Sequence, residues 1–506
     1  MMSDQATFPK HNFGVSLWVG GIAMADDASQ PLRVFFFPLM SPGHMIPMID
    51  IAKLFARHGA AVTVVTTPGN EPLIRPAIDR RHDGTPVVDL LLLPFPDSVA
   101  HLVPSTGEHL GAITTAEHAD FMNAVFALAG PLDDLLRQHR PDCLVSDAMF
   151  PWTSATAAQL GIPRLVFYGP GAFLLCVHRS IEFRGHHAAV SSRSERFAIE
   201  GLPHRIHLEP SEISPIFKFT EMVLQQRKAE ESSFGVLVNS FYELEPDYAD
   251  LFRKEPVTKA YYVGPVALCD QEKEAQRGSR SSPHLGRWLS WLDSKPAGAV
   301  VYVCFGSLCE LSNDQFKDLA LGLEASGHLF LWVVREGAGC PPAWLPDGYE
   351  RRVEGRGLVI RGWAPQVALL GHPAVGGFVT HCGWNSTLEG LTAGKPMATW
   401  PLNYDQFVNE KLLTEVAGVG VRVRRSEAVG AARVTAEEVT AAVRELMGGG
   451  EEAAERRRRA REYAAMAKAA MKEGGSSYQD MKCLMEELMA CRERKPGGAL
   501  NGDVGQ

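Results

Sequence analysis

The chain has 506 residues, 45% of them hydrophobic, and a formal net charge of −9. That length exceeds what one core ordinarily serves, so two domains are expected, and the acidic balance argues against a nucleic-acid partner and confines any phosphate site to a local patch. Nine scattered cysteines without a C-x-x-C pair read as reduced thiols in a cytoplasmic protein, expected to be monomeric, and no run approaches the roughly 18 apolar residues of a membrane span.

Residues 13–24 are a short apolar run, and Ala23-Met24-Ala25 mimics a cleavage site. Only Lys10 supplies positive charge before it, and Asp4 is also present. A dispensable extension over 1–31 is therefore expected in place of a signal peptide.

Val34-Phe35-Phe36-Phe37 is apolar without alternation, as in a buried parallel strand. Pro42-Gly43-His44 reads as a turn before a helix over about 46–58, with Pro47 in its first turn and Gly59 ending it. Residues 61–66 are the next strand, which completes a βαβ unit. Ligands bind at the carboxyl ends of such strands, and His44 lies at that end of the first. A plain turn histidine capping the helix is the alternative. An apolar run at 87–95 and a helical region over 115–139 follow. Cys143-Leu144-Val145-Ser146-Asp147 is then a strand ending in a carboxylate. A helix over 152–160, a strand over 164–168, and runs at 235–240 and 260–265 complete a first domain over 32–268.

Residues 269–285 are polar and periodless, the expected linker. A second domain over 286–474 restarts the rhythm with a strand over 300–305, which leads into Gly306-Ser307. A helix over 312–326 and a strand over 329–334 come next. Near the end, a charged helix over 451–472 carries Arg456-Arg457-Arg458-Arg459, read as a solvated face. An amphipathic helix over 475–492 and a tail over 493–506 finish the chain.

The most informative stretch is 363–406, WAPQVALLGHPAVGGFVTHCGWNSTLEGLTAGKPMATWPLNYDQ. Its centre reads as a buried strand over 375–380, a glycine-containing turn, and a short helix from about Asn385-Ser386 that stops at Gly394-Lys395-Pro396. Such a turn aims unpaired N–H groups above the sheet and makes an anion site. His381, Asn385 and Ser386 add donors suited to a diphosphate. Glu389 suits the vicinal hydroxyls of a ribose, Trp363 a base, and Asp405-Gln406 a sugar. Singly these are weak signals. Ser386-Thr387-Leu388-Glu389 is also a plain capping box, and Gln406 has the alternative of capping its own loop. His381-Cys382 with His372 matches no known zinc spacing.

Taken whole, the stretch closely resembles the signature box of plant family-1 UDP-sugar-dependent glycosyltransferases. The resemblance implies an α/β GT-B fold, two doubly wound Rossmann-like domains facing across a cleft, with the last helix returning to the first domain. It implies donor binding by Trp363, Ala364, Gln366, His381, Gly383, Trp384, Asn385, Ser386, Glu389, Asp405 and Gln406. Trp384 and Gln406 match the family's link to glucose. FPLMSPGHMIP resembles the loop bearing the family's catalytic base, here His44, and CLVSDA the segment bearing its aspartate partner, here Asp147. One departure lies near Gly169-Pro170-Gly171, where family members often carry a Thr or Ser that contacts the sugar.

The chemistry then follows. An imidazole titrates near neutrality and can take the proton of an acceptor hydroxyl, and a carboxylate on its other nitrogen fixes the tautomer. Ser307 is a further candidate donor to the phosphates. No D-x-D carboxylate cluster marks a metal site, so metal-independent transfer with no cofactor is expected; attack from the face opposite UDP would invert the anomeric centre, and the resemblance implies UDP-glucose as donor. Phe150, Tyr168 and Phe173 are candidates for an acceptor pocket suited to flavonoids and other phenolics, with terpenoids or steroids as the alternative. An NAD-dependent oxidoreductase would need G-x-G-x-x-G after the first strand, and an α/β-hydrolase a G-x-S-x-G elbow. Neither pattern is present. A non-catalytic UDP-sugar-binding protein remains as a rival of another class.

Overall fold

A computed structural model of the chain describes residues 30–78, 87–184, 195–214, 217, 220–254, 259–269, 284–306, 311–334, 345–424 and 433–494. The expected extension, nearly all of the linker and nearly all of the tail lie outside these residues, and so does Ser307. Residues 32–506 form one compact unit.

The first half builds a parallel sheet from β1 (Arg33–Phe37), β2 (Ala61–Thr66), β3 (Asp89–Leu92), β4 (Cys143–Asp147) and β5 (Arg164–Tyr168). A two-stranded antiparallel pair, β6 (Phe197–Ile199) and β7 (Ile206–Leu208), interrupts it before β8 (Gly235–Val238) and β9 (Ala260–Tyr262) rejoin. The order is β3-β2-β1-β4-β5-β8-β9. Strand β4 is buried throughout, and β1 beyond its first residue, which is why both read as unbroken apolar runs. The second half builds β10 (Val300–Cys304), β11 (Leu329–Val334), β12 (Gly357–Arg361), β13 (Val375–Thr380), β14 (Met397–Thr399) and β15 (Gly420–Arg422) into another parallel sheet, ordered β12-β11-β10-β13-β14-β15.

Each order reverses direction once, between β1 and β4 in the first sheet and between β10 and β13 in the second. At such a switch point the connections leave in opposite directions and open a crevice at the carboxyl ends. Register decides what meets there. Phe37 pairs with Ser146, which brings the segment after β1 beside Asp147. Cys304 pairs with Thr380, which brings Gly306 beside His381.

Several boundaries differ from the sequence expectation. The first helix runs Pro42–Arg57 and contains Pro47, so His44 lies in its first turn and not in a preceding loop. Proline is tolerated as a first helical residue, and Ser41 precedes it in extended conformation. The region 115–139 holds two helices, His118–Phe126 and Ala129–His139. Pro131 has no N–H for the Ala127 carbonyl, which breaks the run. The four arginines at 456–459 divide: Arg456 is largely buried against Glu445 and Arg457 donates to the Gly448 carbonyl at 2.9 Å, while Arg458 and Arg459 stay about half exposed and pair with Glu455. The helices Ala172–Arg184 and Thr220–Glu231 were not anticipated.

The last helix, Ser476–Glu493, packs Met481, Leu484, Met485 and Leu488 into the cluster formed by Val34, Phe36, Val145 and Phe167 of the first sheet. Asp480 accepts from the Tyr262 backbone N–H at 2.8 Å and pairs with Arg253, which fixes the helix along that edge. Another cluster joins both halves, with Phe173, Val177 and Tyr248 on one side and Trp384 and Leu388 on the other.

Candidate active site across the cleft

His44 and Asp147 meet at the first switch point. His44 Nδ1 is 2.7 Å from Asp147 Oδ2. The carboxylate is itself fixed, since Met149 N–H donates to its Oδ1 at 2.9 Å and Leu39 N–H approaches Oδ2 at 3.5 Å. Asp147 is 1% exposed, whereas a third of the His44 side chain remains accessible. The imidazole thus keeps an edge open to a reactant while its other nitrogen is held. Burial works against the His44 cation, but the charge and hydrogen bond of Asp147, with the charge of Asp405, outweigh it and raise the pKa above the ordinary histidine value.

At the second switch point β13 ends at Thr380, His381 follows it directly, and the helix Trp384–Thr392 begins three residues after His381, with Gly383 as its N-cap. The helix starts earlier than expected, so Ser386 is no cap and the capping box does not form. Gln366 Nε2 instead donates to Ser386 Oγ at 3.0 Å and to Glu389 Oε2 at 2.7 Å. That amide pins the start of the helix Gln366–Gly371 to a wall of hydroxyl and carboxylate. Trp363 stands just before it, 40% exposed, so its ring offers an open flat face. Ala364 beside it is buried.

Burial lowers the His381 pKa to about 4, so the imidazole is neutral at physiological pH, and its buried Nδ1 has no hydrogen-bond partner among the described residues. Two glycines make room for the ring. A Cβ on Gly306 would lie 2.6 Å from His381 Cε1, and one on Gly383 2.4 Å from Nε2. Gly306 also has φ +73°, which disfavours any side chain.

The two sites face each other. Asn385 Nδ2 donates to the Gly43 carbonyl at 2.9 Å, one residue from His44. Trp384 is buried between the halves, its indole N–H on the Asn239 carbonyl at 2.7 Å and its ring against Gly171. Asp405 accepts from Asn409 Nδ2 at 2.7 Å, and that amide also donates to the Cys382 carbonyl at 2.9 Å. Asn409 therefore ties Asp405 to the left-handed residue Cys382, φ 65°. Sequence reasoning missed this role, although an Asn four residues after Asp405 on one helix face was a readable signal. Gln406 is buried, and its Oε1 accepts from the backbone N–H groups of Leu402 and Asn403 at 2.8 and 3.0 Å, so it caps its own loop.

The acceptor-pocket candidates divide. Phe150 is fully buried against Phe37 and Trp152, and Phe173 is fully buried against Tyr248. These two are core residues and present no surface to a ligand, a correction that follows from their place in the clusters beneath and between the sheets. Tyr168 is partly exposed and donates its hydroxyl to Glu230 at 2.8 Å. His372 faces Asp293 at 3.1 Å, away from His381. Among the described residues no group of three or more His, Cys, Asp or Glu side chains is arranged to hold a metal ion, and no helix is long and apolar enough to cross a membrane.

Residues 277–452 match the family described as UDP-glucoronosyl and UDP-glucosyl transferase. A scopoletin glucosyltransferase of Nicotiana tabacum is 45% identical over 90% of this chain and 98% of its own length. A UDP-glucose flavonoid 3-O-glucosyltransferase 7 of Fragaria ananassa is 44% identical over 92% of this chain and 98% of its own. Among solved structures, Glycyrrhiza uralensis UGT73P12 complexed with glycyrrhetinic acid 3-O-monoglucuronide matches with TM-score 0.84 and 37% identity, over 92% of this chain and 97% of that one. Near-complete likeness of this kind, with a donor box and a histidine–aspartate pair facing across one cleft, leaves a single assignment: the chain belongs to the plant family-1 UDP-sugar-dependent glycosyltransferases, with their GT-B fold.

Proposed function

We propose that the protein transfers glucose from UDP-glucose to a hydroxyl of a small phenolic acceptor, with inversion at the anomeric carbon and His44 as general base. The observation that carries this is the 2.7 Å contact between His44 Nδ1 and the buried Asp147 carboxylate, one residue from the Gly43–Asn385 contact with the donor side. The acceptor hydroxyl gives its proton to His44 Nε2 as its oxygen bonds to the anomeric carbon. The bond from that carbon to the phosphate oxygen breaks, and UDP departs with the electron pair. Asp147 holds the Nδ1 proton and stabilises the imidazolium. Neutral donors and the helix N-terminus at Trp384–Ser386 receive the charge that develops on the diphosphate. Trp363 stacks on the base and Glu389 holds the ribose.

Names of the tobacco and strawberry relatives support a coumarin- or flavonoid-sized acceptor. The glycyrrhetinic acid glycoside in the solved relative favours, as a second reading, a larger polycyclic acceptor. The reaction as proposed takes place in the cytosol and uses no cofactor. Incubating the enzyme with UDP-glucose and a panel of both acceptor classes, with products identified by mass spectrometry and their anomeric configuration by NMR, tests it. Absence of any glucoside, or an α-linked product, would overturn the reading.

A further inference from the structure

Pro47 lies inside the helix Pro42–Arg57. Its ring nitrogen carries no hydrogen, so it cannot give the usual bond to the carbonyl four residues earlier, which is that of Gly43. That carbonyl is the one that accepts the Asn385 side-chain N–H across the cleft at 2.9 Å. We propose that Pro47 is a positioning residue: by leaving the Gly43 carbonyl unclaimed within its own helix, it lets Asn385 latch the helix bearing His44 onto the donor-binding helix. The inference rests on the function proposed above.

The chemistry of the amide makes the latch compatible with donor binding. A carboxamide nitrogen has two N–H donors. One is engaged by Gly43, and the second is left for a phosphate oxygen at the N-terminus of the helix Trp384–Thr392. One side chain then touches the departing group and, through a single carbonyl, the residue next to the base. Packing alone does not explain the proline, because a prolyl ring inside a helix ordinarily destabilises it relative to alanine.

Pro47→Ala supplies the missing N–H and makes it compete for Gly43. Loss of one neutral hydrogen bond corresponds to about a 2- to 10-fold change, so kcat with saturating UDP-glucose is expected to fall by that factor. Affinity for UDP by calorimetry should stay within about twofold, and Tm should be unchanged or higher. The decisive measurement is the double mutant: in an Asn385→Ala background, Pro47→Ala should have no further effect on turnover. An equal loss in both backgrounds, or wild-type kcat in Pro47→Ala, overturns the proposal. Where Asn385→Ala turns over too slowly, hydrogen exchange of segment 42–57 in the UDP-saturated enzyme substitutes. There the two variants must loosen the segment non-additively, and additive loosening refutes the latch. Glucosyl transfer by the wild type and its loss in His44→Ala decide the proposed function separately.

Discussion

The indole N–H of Trp384 donates to the carbonyl of Asn239 at 2.7 Å, joining the first residue of the donor-side helix to the segment that follows β8 in the other half. The sequence expectation linked this tryptophan to sugar choice, yet its buried ring works as a fastener between the sheets. Trp384→Phe keeps most of the ring and strands the carbonyl, at a cost of about 1–3 kcal/mol. Tm should fall, while the ratio of kcat/KM for UDP-glucose over UDP-galactose stays constant. A changed ratio with normal folding would return Trp384 to a direct role in reading the sugar.

His44 must be neutral to accept a proton, and its pKa is raised chiefly against burial by Asp147. Activity should therefore decline as pH falls through a value above the ordinary histidine pKa. Asp147→Asn removes the charge that raises it, so the acid limb of kcat/KM should move to lower pH even as the plateau drops. His44→Ala should lose about 100- to 10,000-fold while UDP still binds. A pH profile identical in Asp147→Asn and wild type would dissolve the pair.

Gly306 is expected to be intolerant of a side chain. Gly306→Ala places a Cβ against His381 and forces a left-handed alanine, which costs about 1–2 kcal/mol for the backbone alone. UDP affinity should drop as well, because the added Cβ displaces the His381 ring. Gly169→Ala, where nothing lies within 4 Å, is the control and should bind UDP normally. Equal affinities in the two variants would mean that the His381 ring position is unimportant to the donor.

Gln406 separates two roles by substitution. Gln406→Glu keeps an oxygen for the Leu402 and Asn403 N–H groups but exchanges the amide nitrogen for a second acceptor. If the nitrogen also reads the sugar, kcat/KM for UDP-glucose should fall several-fold at unchanged Tm. Unchanged kinetics would confine the residue to capping its loop.

Both sheets were legible because buried parallel strands write themselves as continuous apolar runs, as Val34–Phe37 and Val300–Phe305 do. Their ends were less so: β3 covers four residues of an apolar run of nine, because only those pair with β2. The pairing of His44 with Asp147 was reachable only through the family resemblance, since the sequence alone does not say that β1 and β4 are neighbours. Contacts across the cleft, such as Asn385 with Gly43, were invisible, because they depend on how two sheets meet and not on local pattern. The burial of Phe173 has the same origin, whereas Phe150 is buried by packing within the first half. An aromatic in a loop or first helical turn beyond a strand, as Phe150 and Phe173 are, looks alike in sequence whether it lines a cleft or fills a core.

The return of the helix Ser476–Glu493 to the first sheet means that the chain, having built the second sheet, ends on the first. That return adds a second covalent tie between the halves beside the shared cluster around Trp384. A fluorophore at Arg494 therefore travels with the acceptor half, and a partner at Arg361 with the donor half. Energy transfer between them should report the separation of the two halves, with and without UDP.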